Sequence, residues 1–358
     1  MRKYYIDNLR WIIIILLIPY HAAMAWNIWG EPNYIYFGSN KLISSIVVFL
    51  SPYAMPLLFL IAGISTKYSL QKRTYKQYIM ERFRKLLIPF ISGTLLIMPL
   101  MAYIAKKFNY GYKGSLLQHY YIFFTRVTDL TGADGCFSIG QFWFILYLFI
   151  ISLISVPVIM LQKKIMPAFK KKIPFCLICC LGLPLPVLSC LLTIGGKSLA
   201  EYTYIFFLGY YIFSDTSVTN KAEKHKYFFL FTGLTATLLD VYMFIWSGVQ
   251  YRLPVTIIKF ISCHSMLIAL AGTGKRYLNF NNMLARYMSQ RSFAFYSFHF
   301  IWLVLFQYLM SGILRNNILL LYIVPVFLAY AATFLCCGIC IRIPFLCYLM
   351  GIKPLCKK

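Results

Sequence analysis

Apolar runs of roughly 20 residues recur along the whole chain, and each is long enough to cross a bilayer as a helix. Ten can be read, over about 9–28, 42–64, 86–105, 141–161, 174–194, 199–213, 227–247, 254–272, 292–311 and 317–341. Lipid offers no partner to a backbone N–H or C=O, so runs of this kind satisfy themselves as helices. The expected fold is therefore an all-α polytopic membrane protein, with residues 1–358 as a single integral membrane domain. Composition agrees: 61% of the residues are hydrophobic and 12% charged, against about a quarter charged in a soluble domain. The sixth run is short and reads as tilted, broken or re-entrant. The first run is too long for the apolar part of a signal peptide and no small-residue cleavage site follows it.

A net charge of +26 invites a nucleic-acid reading, but the distribution of the cations points elsewhere. Of the 35 Lys and Arg residues, 26 gather in alternate segments: near the start, in 67–85, 163–172, 221–226 and 275–291, and after 341. The opposite segments hold 8, and Lys259 falls inside a run. That asymmetry encodes orientation and places both termini in the cytoplasm; no nucleic-acid partner is expected. The stretch 66–89 mixes bases with Tyr75, Tyr78, Ile79, Phe83 and Leu86 at helical spacing, which predicts an amphipathic helix on the inner surface. The stretch 106–140 is the long external loop, with His119, Asp129 and Asp134 and a Gly-rich end, "TGADGCFSIGQ". Most of the 11 cysteines sit within apolar runs, where Cys behaves as a small hydrophobe; no metal site is expected.

Three constellations carry chemistry. Arg10 and His21 are eleven residues apart, which on an α-helix is ~20° around the axis and ~16 Å along it. Asp7 shares nearly the same face. Alone, Arg10 reads as an inner-surface anchor and His21 as a polar tie between helices. On one stripe they read as a cavity wall, with an imidazole able to act as general base near neutrality. The second is "ERFRKLLIPF", where Arg82, Arg84 and Lys85 adjoin the cytoplasmic mouth of a span. Guanidinium forks suit phosphate, although generic attraction to the inner leaflet would look the same. The third is "SFAFYSFHFIW", which puts Ser292, Tyr296 and His299 on one helix face. Trp143 opens a span, where the default is an interfacial anchor. Asp240, Lys259 and His264 are intramembrane without a spacing that assigns a role. No Walker loop, nucleophile elbow or zinc-protease motif is present, so direct transfer assisted by a base fits better than covalent catalysis.

Together these pieces resemble acyltransferase family 3, ten-span bacterial membrane enzymes that O-acylate surface glycans. The resemblance rests on "IDNLRWIIIILLIPYH", with Arg10 and His21 at the family's spacing, and on "RFRKLLIPF", "GQFWFILYL" and "SFAFYSFHF", in order along the chain. It implies that His21 is the catalytic base and that Arg10 with Arg82, Arg84 and Lys85 serves an acyl-CoA donor, with no other cofactor. The implied acceptor is a glycan or lipid-linked saccharide, and the implied location is the bacterial cytoplasmic membrane. Asp7, Trp143, Tyr296 and His299 are further candidate substrate contacts, with His299 or Tyr296 orienting the acceptor or donating to the oxyanion. Many members carry an acidic stretch after the fourth-span Trp. Here "FWFILYLF" has no Glu, which looks closer to the glucan-succinylating and intercellular-adhesin-modifying branch. A transporter or flippase without acyl chemistry is the rival; halved, repeated spans would favour it, and no such repeat stands out.

Overall fold

Pro19 lies inside the first helix and has no N–H to give the carbonyl of Ile15, four residues back. The phenol of Tyr330 donates to that carbonyl instead, at 2.9 Å, and Tyr322 donates to the carbonyl of Pro19 itself at 3.1 Å. The helix thus continues through the proline to Met24. The computed structural model describes residues 3–165, 173–248 and 252–352. Of the cations that set the expected orientation, Arg2, Lys170, Lys171, Lys172, Lys353, Lys357 and Lys358 lie outside the described residues.

In chain order the first helices are α1 (Tyr4–Met24), α2 (Lys41–Leu50), α3 (Ala54–Leu70), α4 (Tyr75–Arg82), α5 (Ile88–Leu96), α6 (Met98–Tyr110), α7 (Leu116–Thr125) and α8 (Trp143–Ile165). Then follow α9 (Phe175–Cys180), α10 (Leu185–Leu188), the short strands β1 (Thr193–Ile194) and β2 (Lys197–Ser198), and α11 (Leu199–Phe207). The chain continues through α12 (Thr216–Lys224), α13 (Lys226–Val241), α14 (Arg252–Tyr277), α15 (Met283–Ser311), α16 (Ile318–Cys340) and α17 (Pro344–Leu349). Among the described residues, eight helical segments are long and apolar enough to cross a membrane: Tyr4–Met24, Lys41–Leu70, Tyr75–Tyr110, Gly140–Ile165, Lys226–Trp246, Leu253–Tyr277, Met283–Ser311 and Ile318–Cys340. This is a multi-pass, predominantly helical membrane protein with almost no sheet among the described residues.

Two expectations change, over 174–194 and 66–89, and the short run 199–213 takes a definite form. The run 174–194 is interrupted: α9 stops at Cys180, α10 spans Leu185–Leu188, and Thr193 pairs with Ser198 in a hairpin. Gly195 and Gly196 turn that hairpin with φ of +55° and +72°, the two positive values a tight β-turn of this kind needs. The run 199–213 is α-helical only to Phe207 and then widens into a π-turn, Leu208–Phe213. The amphipathic helix expected over 66–89 is divided. Its first residues finish α3, and the rest opens at Thr74, whose capping box with Gln77 starts α4. From Tyr75 one apolar helical segment extends to Tyr110, through a π-turn at Phe83–Leu87 and a single turn residue, Ile97, between α5 and α6.

The packing forms two compact units. The first comprises Met1–Trp11, Val48–Phe83 and Tyr147–Arg286; the second comprises Ile12–Val47, Arg84–Leu146 and Tyr287–Lys358.

In the first unit glycines let helices touch backbone to backbone. A methyl at Gly63 of α3 would lie 1.9 Å from the carbonyl oxygen of Phe206, and one at Gly209 2.1 Å from that of Leu60. Between α13 and α14 the hydroxyls of Thr237 and Ser262 bond at 2.6 Å. His264, an intramembrane histidine without a role in the sequence, donates from Nε2 to the carbonyl of Ile178 at 2.9 Å. Tyr204 donates to Leu181 at 2.8 Å. Both side chains serve carbonyls beside the break between α9 and α10, as interrupted helices in lipid require. At the start of α1, buried Asn8 donates to the carbonyls of Leu278 (2.6 Å) and Phe280 (2.9 Å) and accepts from the Trp11 indole (2.9 Å).

In the second unit Asn27 closes α1, donating to the carbonyls of Met24 and Glu31 at 3.0 and 2.8 Å. The segment 126–139 is tied internally: Asp129 accepts from the Thr131 N–H at 2.9 Å, and Asp134 accepts from the Cys136 N–H at 3.0 Å and from the Thr128 hydroxyl. These carboxylates build turns. At the C-terminal side, α17 packs on α5, with Ser92 donating to the carbonyl of Leu349 at 2.8 Å.

Candidate functional site

Arg10 is held within the first unit. Its guanidinium donates to Asp7 Oδ1 at 3.1 Å and to Ser65 Oγ of α3 at 3.0 Å. Asp7 lies one turn earlier on α1, so the pair has the i,i+3 spacing that brings side chains together on a helix. Arg82 belongs to the same unit and lies over the ring of Tyr78, 4.6 Å from its centroid.

His21, two residues past Pro19, belongs to the second unit and is half-buried. Phe300 stacks on it, with centroids 4.0 Å apart and planes 19° apart. The ring of His299 is 5.4 Å away at 36°, and Tyr20 meets His21 edge-on at 5.2 Å. The two histidines, on α1 and α15, are thus brought together. Behind them the structure is polar and closed. His299 is fully buried and its Nδ1 lies 2.7 Å from the carbonyl oxygen of Tyr296. Because a carbonyl can only accept, Nδ1 carries the proton and Nε2 holds a lone pair. That Nε2 has no hydrogen-bond partner among the described residues.

Tyr296 donates its hydroxyl to the carbonyl of Gln141. The Gln141 amide donates to the carbonyl of Ser297 at 3.1 Å, while its Oε1 is buried without a partner among the described residues. Two orphaned acceptors therefore border one stretch of α15. In the neutral state neither Tyr296 nor His299 has a spare hydrogen to donate. Tyr34 closes the other side, edge-on to Phe300 at 5.3 Å. It lies in the segment between α1 and α2, and burial pushes its phenol well above the ordinary value of 10. Gly140, at φ +44°, makes room for it: a methyl there would stand 2.7 Å from the Tyr34 oxygen.

Trp143 is 9% exposed and packs edge-on against Phe144 at 6.4 Å, so it is an internal residue rather than an interfacial one. Arg84 and Lys85 sit on the π-turn Phe83–Leu87, also in the second unit. Arg84 faces the ring of Tyr348 of α17 at 6.0 Å. Gly351 comes so close to Lys85 that a methyl on it would lie 2.9 Å from the Lys85 carbonyl oxygen. Elsewhere, in the first unit, Lys259 acts electrostatically on both Asp240 and Glu201. Sequence reasoning passed over Gln141, Phe300 and Tyr34. The first two stand inside the stretches "GQFWFILYL" and "SFAFYSFHF"; Tyr34 carries no local signal.

A family model described as an acyltransferase domain matches residues 3–342. No curated protein and no solved structure matches the chain.

Proposed function

This chain belongs to that acyltransferase family, the family 3 membrane acyltransferases, and we propose that it transfers an acetyl or succinyl group from acyl-CoA to a hydroxyl of a cell-surface glycan or lipid-linked saccharide. The enzyme class and the membrane-spanning helices are given by the family and the fold; donor, acceptor and residue roles are our reading.

His21 takes the proton of the acceptor hydroxyl, and the oxygen attacks the thioester carbonyl. The tetrahedral intermediate then expels the CoA thiolate, which recovers the proton from the imidazolium. The observation that carries this assignment is the setting of His21: an imidazole on a membrane-spanning helix, stacked on Phe300 and faced by a second imidazole. Intramembrane ionisable groups kept in such company mark functional sites. For the donor we assign the basic run Arg82, Arg84 and Lys85 to the CoA phosphates, since guanidinium and ammonium groups suit phosphate oxygens, Arg82 ending α4 and Arg84 and Lys85 lying on the widened turn after it. Arg10, fixed by Asp7 and Ser65, is a further donor contact, and Trp143 and Tyr296 belong to the wall behind the reacting groups. The chain is assigned to the glucan-succinylating and adhesin-modifying branch on its lack of an acidic stretch after Trp143. Both termini are assigned to the cytoplasm of a bacterial inner membrane, with the acceptor entering beneath 106–140.

The test is CoA release by the purified protein in detergent from radiolabelled acetyl-CoA and succinyl-CoA. Turnover that disappears in His21→Ala while donor binding persists is the expected result. If neither donor binds and no CoA appears with or without added glycans, the acyl-CoA reading is wrong, and flux assays for a transporter come next.

A further inference from the structure

The geometry points to His299 as the positioning residue for His21: its Nε2 lone pair accepts an N–H of His21 during turnover and so leaves the other nitrogen of His21 unprotonated toward the acceptor hydroxyl. The inference rests on His21 being the base.

Its first support is the fixed tautomer. The Tyr296 carbonyl, three residues earlier on the same helix, holds the His299 proton on Nδ1 at 2.7 Å. The second is the vacancy at the opposite nitrogen. Nε2 is fully buried and has no partner among the described residues, whereas buried polar groups in folded proteins are nearly always paired. The third is distance. An in-plane N–H···N bond sets two imidazole centroids about 5 Å apart, and here the separation is 5.4 Å. The two ring planes are 36° apart, so the pair stands close to that arrangement in both distance and angle. Phe300, stacked on His21 at 4.0 Å, holds the plane of that ring beside His299. Tyr20, edge-on to His21, and Tyr296, whose hydroxyl is committed to Gln141, are titratable side chains packed on the pair.

The resulting chain runs from the Tyr296 carbonyl through His299 to His21 and on to the acceptor oxygen. It has the logic of a base oriented by a third group, with a neutral imidazole in the orienting place. Protons balance without a further reactant. One leaves the acceptor hydroxyl for His21 and later joins the CoA thiolate. In between, the imidazolium is stabilised by the Nε2 lone pair while His299 keeps its own proton.

The experiment compares wild type, His299→Phe, His299→Gln and His21→Ala in purified form, with the pH profile of kcat. Gln retains both an acceptor and a donor. The expected results are a loss of kcat of about a hundredfold in His299→Phe with KM for the donor unchanged, and an acid limb displaced to lower pH because the imidazolium has lost its acceptor. His299→Gln recovers much of the rate and returns the limb. Retention of kcat within about twofold in His299→Phe overturns the proposal, as does an unshifted limb with Gln no better than Phe. Turnover that survives His21→Ala instead removes the underlying base assignment. Should His299→Phe fail to fold, nitrogen-15 shifts of histidine-labelled wild type decide the matter: a neutral His299 protonated at Nδ1 is expected, and protonation at Nε2 overturns it.

Discussion

Phe300 lies flat against His21, 4.0 Å from centroid to centroid, and stands edge-on to Tyr34 at 90°. The imidazole is therefore held by a surface that offers no hydrogen bond and leaves its nitrogens to other partners. Aromatic pairs of this kind are worth about 0.5–1.5 kcal/mol beyond area burial. Phe300→Leu keeps most of the volume and removes the flat face. Its kcat is expected to fall between about twofold and tenfold with donor affinity unchanged, measured by CoA release and equilibrium binding of the same preparation.

Tyr330 supplies the hydrogen that Pro19 withholds from the carbonyl of Ile15. Tyr330→Phe leaves that carbonyl in an apolar setting. Hydrogen bonds between membrane helices average about 0.6 kcal/mol, so only a modest fall in melting temperature is expected. The effect on turnover should be larger than that fall suggests, because His21 follows two residues later on the same turn. A double variant with Pro19→Ala restores the backbone donor and should recover the melting temperature.

Gly351 adopts φ +62° with Pro89 and Lys85 against it. Gly351→Ala adds left-handed strain of about 1–2 kcal/mol and a methyl 2.8 Å from Pro89 Cγ. If Lys85 serves the donor phosphates, KM for acyl-CoA rises several-fold while kcat stays near wild type. Gly312→Ala, where nothing lies within 4 Å of the added methyl, is the matched control and should change neither constant.

His119 of α7 is fully buried between Tyr103 and Tyr112, and its Nε2 donates to the carbonyl of Gly135 at 3.0 Å. Burial lowers its pKa below the ordinary 6.5; the Gly135 bond opposes the shift and the Lys106 charge adds to it. A second proton would sit on Nδ1, which has no acceptor among the described residues. The unfolded chain binds that proton more readily, so this contribution to stability is complete above pH 6.5 and is lost as pH falls below it toward the folded pKa. Melting temperature should drop on acidification through that window. His119→Gln, which can still donate to Gly135, should flatten the dependence.

The long apolar runs marked the spanning helices well because length and hydropathy are set by the solvent they must cross. The same criterion misled over 174–194. There "LPLPV" and "TIGGKS" hold two prolines and a Gly-Gly turn, signals of interruption that were outweighed by the hydrophobicity of their neighbours. His264 had no reading in the sequence because its partner, the carbonyl of Ile178, exists only once α9 has ended. At the candidate site the spacing on α1 and α15 singled out His21, Tyr296 and His299, since periodicity is local. The pairing of Gln141 with Ser297, 156 positions away, and the stacking of Phe300 on His21 are products of helix packing, which spacing within one segment does not encode. Trp143 shows the same limit: its position at a span boundary suggested the interface, and packing buried it.

The π-turn at Phe83–Leu87 makes residue number, rather than residue identity, the quantity to conserve when this protein is redesigned. Such turns contain one residue more than the α-helix around them, and one residue is about 100° of rotation. Removing one residue from Phe83–Leu87 is expected to change the helical phase of this turn by about 100°. A chimera that borrowed its first eighty-odd residues from a relative with a plain α-helix here would inherit a phase error, however similar the side chains. Arg84 and Lys85 thus sit on a vernier, where the count of residues sets the direction in which each side chain points.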